Sequence, residues 1–545
     1  MDYPAHLLIS YTPFNFLIRF IYPRMNLRWL TSFLLIALCS TASLLLISPL
    51  AGSHLFCIND IATFLAEEGH DITILSFQPE TRIKFHQNVT FLVPENQVLI
   101  ASHDECHKKI VIESSSYDSI WDVLEGCKPF WKYLTDLLGE YFSGKSMEDL
   151  LNQGNFSAII IDEFVMAAVA NVAKRANVPL ISHNPMPYYM MPRDQQNLPL
   201  MLNSEPGAAI PDLSHKRRAP LSLLRRFTGL WKGAKAAIIF KTLLQTVDKK
   251  HQIGQQTNFM DQIELFLVND HVAFSFPHLL PPNVIQIAGF NLGSTQPIPQ
   301  EFTSFLDHNT HRPVIYLSFG SYATYSMISW LHQIIDGLEQ LDVAVIFKTS
   351  ASIELSNKFM MTEWVPQKDL LASGRVMLFI SHCGNNGRIE SIYYNVPLLC
   401  IPLFGDQYAN AFRVQEKEFG RMLIKEDIII DKKSVIAMVT LMIENISFYR
   451  NNMKDAADIL KSEPASGKDK IKYYVELLIK RGNLSFLQNE VGKNQGMIEM
   501  YNLDIGFIFL CSLVLALYLI CYAIRAVMLF YLKDHNNRAL ENKTK

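Results

Sequence analysis

At 545 residues the chain is too long for one compact core, and its length calls for about two to four domains. With 49% hydrophobic residues, 19% charged residues and a formal net charge of -3, it is globular in composition. That balance excludes the basic footprint of a nucleic-acid binder. The first element is an apolar run, LTSFLLIALCSTASLLLIS from Leu30 to Ser48, behind Arg24 and Arg28. A basic flank, an apolar stretch and small residues at Ser40-Thr41-Ala42 read as a secretory signal peptide, with a retained signal anchor as the alternative. Residues 1–42 are therefore assigned to leader and signal, with Met25 as an alternative start. The run continues into LLLISPLAGSH, which predicts that the first strand of the mature domain begins at once.

From residue 44 short apolar runs alternate with amphipathic stretches: LLLIS, HLFCINDIATFLAEEGH, DITILSF, then AIIIDEF, VMAAVANVAKRANVP and LISHN. Apolar strands separated by helices predict parallel sheets with crossovers. Gly69 stands where the first helix needs a C-cap glycine. The alternation breaks between 185 and 285, where a proline-rich stretch and the basic, amphipathic LLRRFTGLWKGAKAAIIFKTLLQ occur. The latter is either a helix packed on its own domain or a membrane-surface contact. FPHLLPPNVIQIAGFNLGSTQPIP then reads as a linker, and PVIYLSFGS, VAVIFKTS, VMLFISH and PLLCIPLF start a second alternation that ends in helical sequence over 433–482. The expected architecture is two Rossmann-like α/β domains, 43–285 and 313–482, joined by a linker at 286–312. A juxtamembrane segment, 483–504, leads to an uncharged apolar segment, 505–524, and a tail, 525–545.

Twenty uncharged residues, Ile505 to Ile524, span about 30 Å as a helix, enough to cross a bilayer. Arg525, Lys533, Arg538, Lys543 and Lys545 follow against Asp534 and Glu541, which places the tail in the cytosol. With a cleaved signal this is a single-pass type I membrane protein whose mass lies in a lumen or outside the cell. Asn88, Asn155, Asn445 and Asn483 are glycosylation acceptors by sequence and agree with that side. Cys39 belongs to the signal, and Cys511 and Cys521 to the span. The remaining cysteines are odd in number in an oxidising space, so at least one has no partner within the chain. Cys106 and Cys127 flank one polar insertion and are the expected pair.

The chemistry concentrates where the second domain's strands end. Open parallel sheets bind ligands there, with phosphates near helix N-termini. His382 follows the apolar strand VMLFIS, and CGNNG supplies a permissive turn with backbone N–H groups before RIESIYY continues as helix. His382 can donate to a phosphate oxygen, and Asn386 and Gly387 can bring amides close. Glu390, one helical turn beyond Asn386, can accept both hydroxyls of a ribose. In the first domain His54 holds the equivalent position after LLLIS, and an imidazole there titrates in the range that proton removal from an acceptor needs.

Over residues 379–407 the sequence resembles the UDP-glycosyltransferase signature in its UDP-glucuronosyltransferase-like branch: Ser-His-Cys-Gly, then Gly387, Glu390, Pro397, Pro402 and Asp406-Gln407 at fixed spacings. The resemblance extends over most of the luminal chain and the C-terminal span. It implies the GT-B type of fold, two Rossmann-like domains facing a cleft. It further implies that Trp364 of WVPQ stacks on uracil and that Gln367 bonds the nucleotide. Ser318, Gly320, Ser321 and Gly384 would face the diphosphate, and Asp406 and Gln407 would hold the sugar hydroxyls. GSH at 52–54 and EEGHDITIL match the family's first segment, which makes His54 the base, Asp162 the carboxylate that orients it and His70 structural. Glu163 is the neighbour with which Asp162 could be confused. Cys383 as a covalent nucleophile is set aside, and without an Asp-X-Asp element a metal-independent mechanism with no cofactor is expected.

The reaction implied is inverting transfer of a hexose from a UDP-sugar co-substrate, UDP-glucuronate or UDP-glucose, to a lipophilic small molecule held by the 85–240 region. The endoplasmic reticulum is the implied compartment, and homo- or hetero-oligomers are compatible. Members that use UDP-glucuronate commonly carry an arginine where this chain has Asn269, so UDP-glucose should serve at least as readily. The rival reading is an inactive, membrane-anchored relative acting as a binding or modulatory subunit. The joint presence of His54, Asp162, Glu390, Asp406 and Gln407 argues against it. An oxidoreductase lacks its G-X-G-X-X-G.

Overall fold

The computed structural model describes residues 41–48, 52–76, 85–93, 141, 145–163, 166–187, 262–275, 280–320, 330–403, 406–424, 432–488, 497–500 and 502–541. The signal segment before Thr41, the Cys106–Cys127 pair, the basic stretch at 223–245 and Ser321 lie outside them.

Two all-parallel sheets form the body. The first uses β1 (Ser43–Ser48), β2 (Asp71–Ser76), β3 (Val89–Leu92), β4 (Ala158–Asp162), β5 (Leu180–Asn184), β6 (Ile263–Val268) and β7 (Val284–Gln286), in the order β3-β2-β1-β4-β5-β6-β7. The helices α1 (Ser53–Glu67), α2 (Lys145–Gly154) and α3 (Met166–Arg175) belong to this half. β1 is buried along almost its whole length, as a central parallel strand covered on both faces must be, and the apolar SLLLIS supplies that burial. The C-terminal part of the apolar run beginning at Leu30 is thus committed to a sheet.

The second sheet uses β8 (Val314–Ser318), β9 (Ala344–Lys348), β10 (Phe359–Thr362), β11 (Leu378–Ser381), β12 (Leu398–Cys400) and β13 (Gly420–Met422), in the order β10-β9-β8-β11-β12-β13. Its helices are α4 (Gln300–His308), α5 (Leu331–Glu339), α6 (Gln367–Ala372), α7 (Asn385–Tyr393), α8 (Gln407–Glu416), α9 (Lys433–Glu444) and α10 (Ile446–Lys461). The stretch read as a linker contains α4, and its Phe302 and Leu306 are buried in this domain's core.

Both sheets reverse their strand order once, between β1 and β4 and between β8 and β11. In such sheets the crevice at the reversal is where a ligand fits. The registers Ile47↔Ile161 and Ser318↔Ser381 bring the two pairs of strand ends level.

Helix α11 (Gly467–Arg481) follows the second domain in sequence and packs on the first. A capping box between Ser466 and Asp469 starts it, and Gly482, left-handed at φ 78°, ends it. Ile471, Val475 and Leu478 on one face, together with Leu484, join Leu44, Leu46, Leu55 and Ile58 in one buried cluster. Lys472 of α11 pairs with Glu68 at the end of α1. The last helix, α12 (Leu503–Glu541), carries an apolar stretch from Leu503 to Lys533. It is long and apolar enough to cross a membrane and extends beyond the twenty residues read from sequence.

Cys383 and Cys400 form a disulfide, Cys57 is a buried free thiol, and a bonded Cys383 is no nucleophile. Asn88, Asn155, Asn445 and Asn483 are all exposed.

Leu478→Ala removes a fully buried side chain from the cluster that α11 shares with the first sheet. It should cost about 2–5 kcal/mol and lower the thermal midpoint of the detergent-solubilised protein. An unchanged midpoint would show that α11 contributes nothing to that core.

Candidate active site

Gly52, at φ 63°, turns the chain from the end of β1 into α1, so that His54 enters on the first turn beside the sheet reversal. Asp162, the last residue of β4, is fully buried, and its Oδ2 lies 2.7 Å from His54 Nδ1. With Nδ1 engaged by a carboxylate, proton removal falls to Nε2, and the buried charge can stabilise the imidazolium that results. His54 itself keeps 14% of its side chain exposed.

His183, on β5, is in register with Asp162 and so shares its face of the sheet. It is fully buried, and neither ring nitrogen has a hydrogen-bond partner among the described residues. Burial pushes its pKa down to about 4 against the pull of the Asp162 charge. This third histidine was not singled out from sequence, and its only signal was a strand-end position in LISHN. Glu163 is close to Asp406 of the second domain. Burial pushes its carboxyl well above the ordinary range, and the Asp162 and Asp406 charges add to the shift. His70 is buried just before β2, and burial lowers its pKa.

In the second domain His382 follows β11 directly. A Cβ on Gly384 would stand 2.5 Å from its Nε2, and one on Gly320, at φ 87°, would stand 2.9 Å from its Cε1. Both glycines are therefore required by the imidazole packed against them as much as by the turn. Burial pushes His382 down to about 4, against a hydrogen bond with the Ser318 backbone, so its ring is neutral and carries a single N–H. Ser318 is buried, and its Oγ accepts from Gly320 N at 3.3 Å.

Glu390 lies one turn along α7. Its Oε2 accepts from Gln367 Nε2 at 2.7 Å, and Gln367 Oε1 in turn accepts from Tyr316 Oη at 3.0 Å. Gly387 lies beside this pair, and a Cβ there would meet Gln367 Nε2 at an ordinary contact distance of 3.4 Å. Burial raises the Glu390 pKa to about 7, with the Gln367 amide opposing and the Asp60 carboxylate adding to the shift. Trp364 is 41% exposed, with Lys348 Nζ over its ring, 4.9 Å from the centre, and the Phe56 ring of the first domain 5.7 Å away.

At the other end of the cleft, Asp406 Oδ2 accepts from Asn410 Nδ2 at 2.7 Å. Gln407 is buried, and its Oε1 accepts from Leu403 N at 2.8 Å. The two halves meet through Asn386. Its Nδ2 donates to Cys57 Sγ at 3.1 Å and to Ser53 O at 3.4 Å, and its Oδ1 accepts from Asn269 Nδ2 at 2.9 Å. Asn269, singled out for sugar choice, is buried in that contact.

The arrangement places a histidine–carboxylate pair across from a neutral imidazole at a helix N-terminus, with an exposed tryptophan and a carboxyl one turn along that helix. In known proteins the same chain organisation recurs. Human UDP-glucuronosyltransferase 3A2 is 24% identical over 535 residues, covering 92% of this chain and 97% of its own. Human 2-hydroxyacylsphingosine 1-beta-galactosyltransferase is 25% identical over 331 residues, 59% of this chain and 60% of its own. Among solved structures, Phytolacca americana UGT2 complexed with UDP-2fluoro-glucose and pterostilbene shares the fold with a TM-score of 0.54 at 16% identity, covering 81% of this chain and all of that one. Medicago truncatula UGT71G1 complexed with UDP-glucose gives a TM-score of 0.53 at 16% identity, covering 81% of this chain and 98% of that one. The fold is therefore of the GT-B type. The family described as UDP-glucoronosyl and UDP-glucosyl transferase matches residues 43–537, and the chain belongs to it as a hexosyltransferase.

Proposed function

We propose that the protein transfers a hexose from a UDP-sugar to a lipophilic small-molecule acceptor with inversion, using His54 as base and Asp162 as its orienting carboxylate. The observation that carries this is the 2.7 Å contact between His54 Nδ1 and Asp162 Oδ2 at the mouth of the first sheet, opposite His382 and Glu390 on the second. His54 Nε2 takes the acceptor's O–H proton while the acceptor oxygen attacks the anomeric carbon. The bond from that carbon to the diphosphate breaks on the far side, and UDP leaves with the electron pair. One displacement converts an α-linked donor into a β-glycoside. No covalent intermediate, metal or cofactor takes part, and the leaving diphosphate is met by His382 and the amides that open α7.

Uracil stacks on Trp364, Gln367 bonds the nucleotide, Glu390 accepts the ribose hydroxyls, and Asp406 and Gln407 hold the sugar. The sugar is a neutral hexose at least as readily as a uronic acid. Asn269 carries no charge, its amide is bonded to Asn386, and the sugar end of the cleft holds the carboxyls of Glu163 and Asp406. The acceptor pocket draws on the first domain, and α12 anchors the enzyme with its catalytic domains on the luminal side of the endoplasmic reticulum. That both neighbouring complexes hold a UDP-sugar or its analogue supports the donor class.

Membrane fractions given labelled UDP-glucose and UDP-glucuronate with a panel of phenolic and steroidal acceptors should turn over UDP-glucose at least as fast as UDP-glucuronate. Turnover of UDP-glucuronate alone would overturn the sugar assignment. In the same assay His54→Ala should lower kcat by about 10²–10⁴-fold, the usual contribution of a positioned base. Equal activity in the variant would refute that role.

Glu390 gives a pH test of donor binding. Ribose hydroxyls donate to the ionised carboxylate, so binding requires proton loss from a group that titrates near 7 in the free protein. The Kd for UDP should rise about tenfold from pH 8 to pH 6, and Glu390→Gln should flatten that slope. A wild-type Kd independent of pH over this range would remove Glu390 from the ribose site.

A further inference from the structure

Helix α7 sends three side chains of its first turns into the first domain. Besides the Asn386 contacts, Asn385 Nδ2 donates to the carbonyls of Pro185 at 2.8 Å and Asn269 at 2.7 Å. Arg388 is fully buried. Its Nη2 donates to Asn385 Oδ1 at 2.7 Å and stands 3.5 Å from Asp270 Oδ1, and its Nη1 donates to Phe274 O at 3.3 Å. Asp270 is also fully buried and accepts from His271 N at 2.9 Å and from Ser275 Oγ. Pro185, Asn269 and Asp270 lie just beyond the carboxyl ends of β5 and β6, whereas Phe274, six residues past β6, is buried in the core of the second domain.

A buried ion pair is a poor device for stability, because apolar replacements of similar volume often do as well or better. It does fix direction. Arginine's planar fork satisfies Asn385, Phe274 and Asp270 at one position, which a lysine ammonium cannot reproduce. The same charge reaches Asp406, whose carboxyl burial pushes up while Asn410 and then Arg388 draw it back down.

We propose that Arg388 is a positioning residue. With Asn385 and Asp270 it forms a buried interdomain latch that holds the amino end of α7, and so the diphosphate cradle, at one register against the helix that carries His54. Its kinetic consequence rests on the glycosyl-transfer reading above, whereas the latch itself rests on the contacts alone. If the register slips, the leaving group moves relative to the base, and a displacement of about 1 Å costs on the order of a hundredfold in rate.

The test uses the full-length protein in detergent with Arg388→Lys, Arg388→Met and the pair Arg388→Met/Asp270→Asn, in which no unpaired buried charge remains. UDP is the binding probe, UDP-glucose with 1-naphthol the turnover probe, and amide hydrogen exchange over 269–275 and 385–393 the structural probe. The double variant should keep its thermal midpoint within a few degrees and its Kd for UDP within about threefold. Its kcat should fall about tenfold or more, and exchange in both segments should quicken about tenfold. Arg388→Lys should show the same loss of kcat despite keeping the charge. A double variant with wild-type exchange and wild-type kcat would overturn the latch. A wild type that turns over no UDP-sugar would refute the glycosyl-transfer reading instead, and the exchange measurement would still decide the latch.

Discussion

The structure depends on a polar seam between two sheets that each hold half of a site. His54 and Asp162 close the reversal of the first sheet, and Ser318 and His382 close that of the second. Fixing the two halves at one relative position is the task of the contacts between them. Two kinds of contact share that task. The apolar face of α11, with Ile471, Val475 and Leu478 sunk in the first domain's core, brings the domains together without specifying direction. The hydrogen bonds of Asn385, Asn386 and Arg388 are directional and converge at the amino end of α7. Contacts such as Asn291 Nδ2 to Asp60 Oδ2 at 2.7 Å and His271 Nε2 to Glu463 Oε1 at 3.0 Å extend the seam.

Burial also sets the electrostatics of the cleft. Asp60, Glu163, Glu390 and Asp406 are all shifted upward, with loss of water as the first cause in each case. His382 is shifted downward for the same reason, so the imidazole at the amino end of α7 carries no charge at neutral pH. An anionic diphosphate placed there would meet dipoles before it met ions, in the N–H groups that open α7. Such a site needs little reorganisation when charge develops on a leaving group.

Much of this was legible in the sequence, for identifiable reasons. Parallel sheets present their carboxyl ends to ligands, so a histidine directly after VMLFIS, or at the start of the helix that follows LLLIS, falls at that edge, and Glu390 follows from one helical turn. Gly320 and Gly384 were visible as turn residues, but their second cause, the His382 ring against both, needs coordinates. The seam was not legible, because its partners are far apart in the chain: Asn385 meets Pro185 across 200 residues, and Arg388 reads as an ordinary continuation of a helix. The Cys383–Cys400 bond follows from the register Ser381↔Cys400 between parallel strands, which sequence spacing does not reveal. The helical pattern of 467–481 was plain, yet nothing local says which domain its apolar face will join.

Three histidines stand near the two strand reversals, and burial distinguishes them. His183 and His382 are enclosed, and burial pushes both down to about 4, so both rings are neutral at neutral pH. A general base must accept a proton and then release it, which suits neither ring. His54 is partly open to the cleft and pairs through Nδ1 with a fully buried carboxylate. An imidazolium formed there would gain a fully buried counter-charge at hydrogen-bond distance, worth more than the same pair in water. Enclosure therefore leaves His183 and His382 as neutral polar groups, while the partly exposed His54 keeps a buried carboxylate at hydrogen-bond distance.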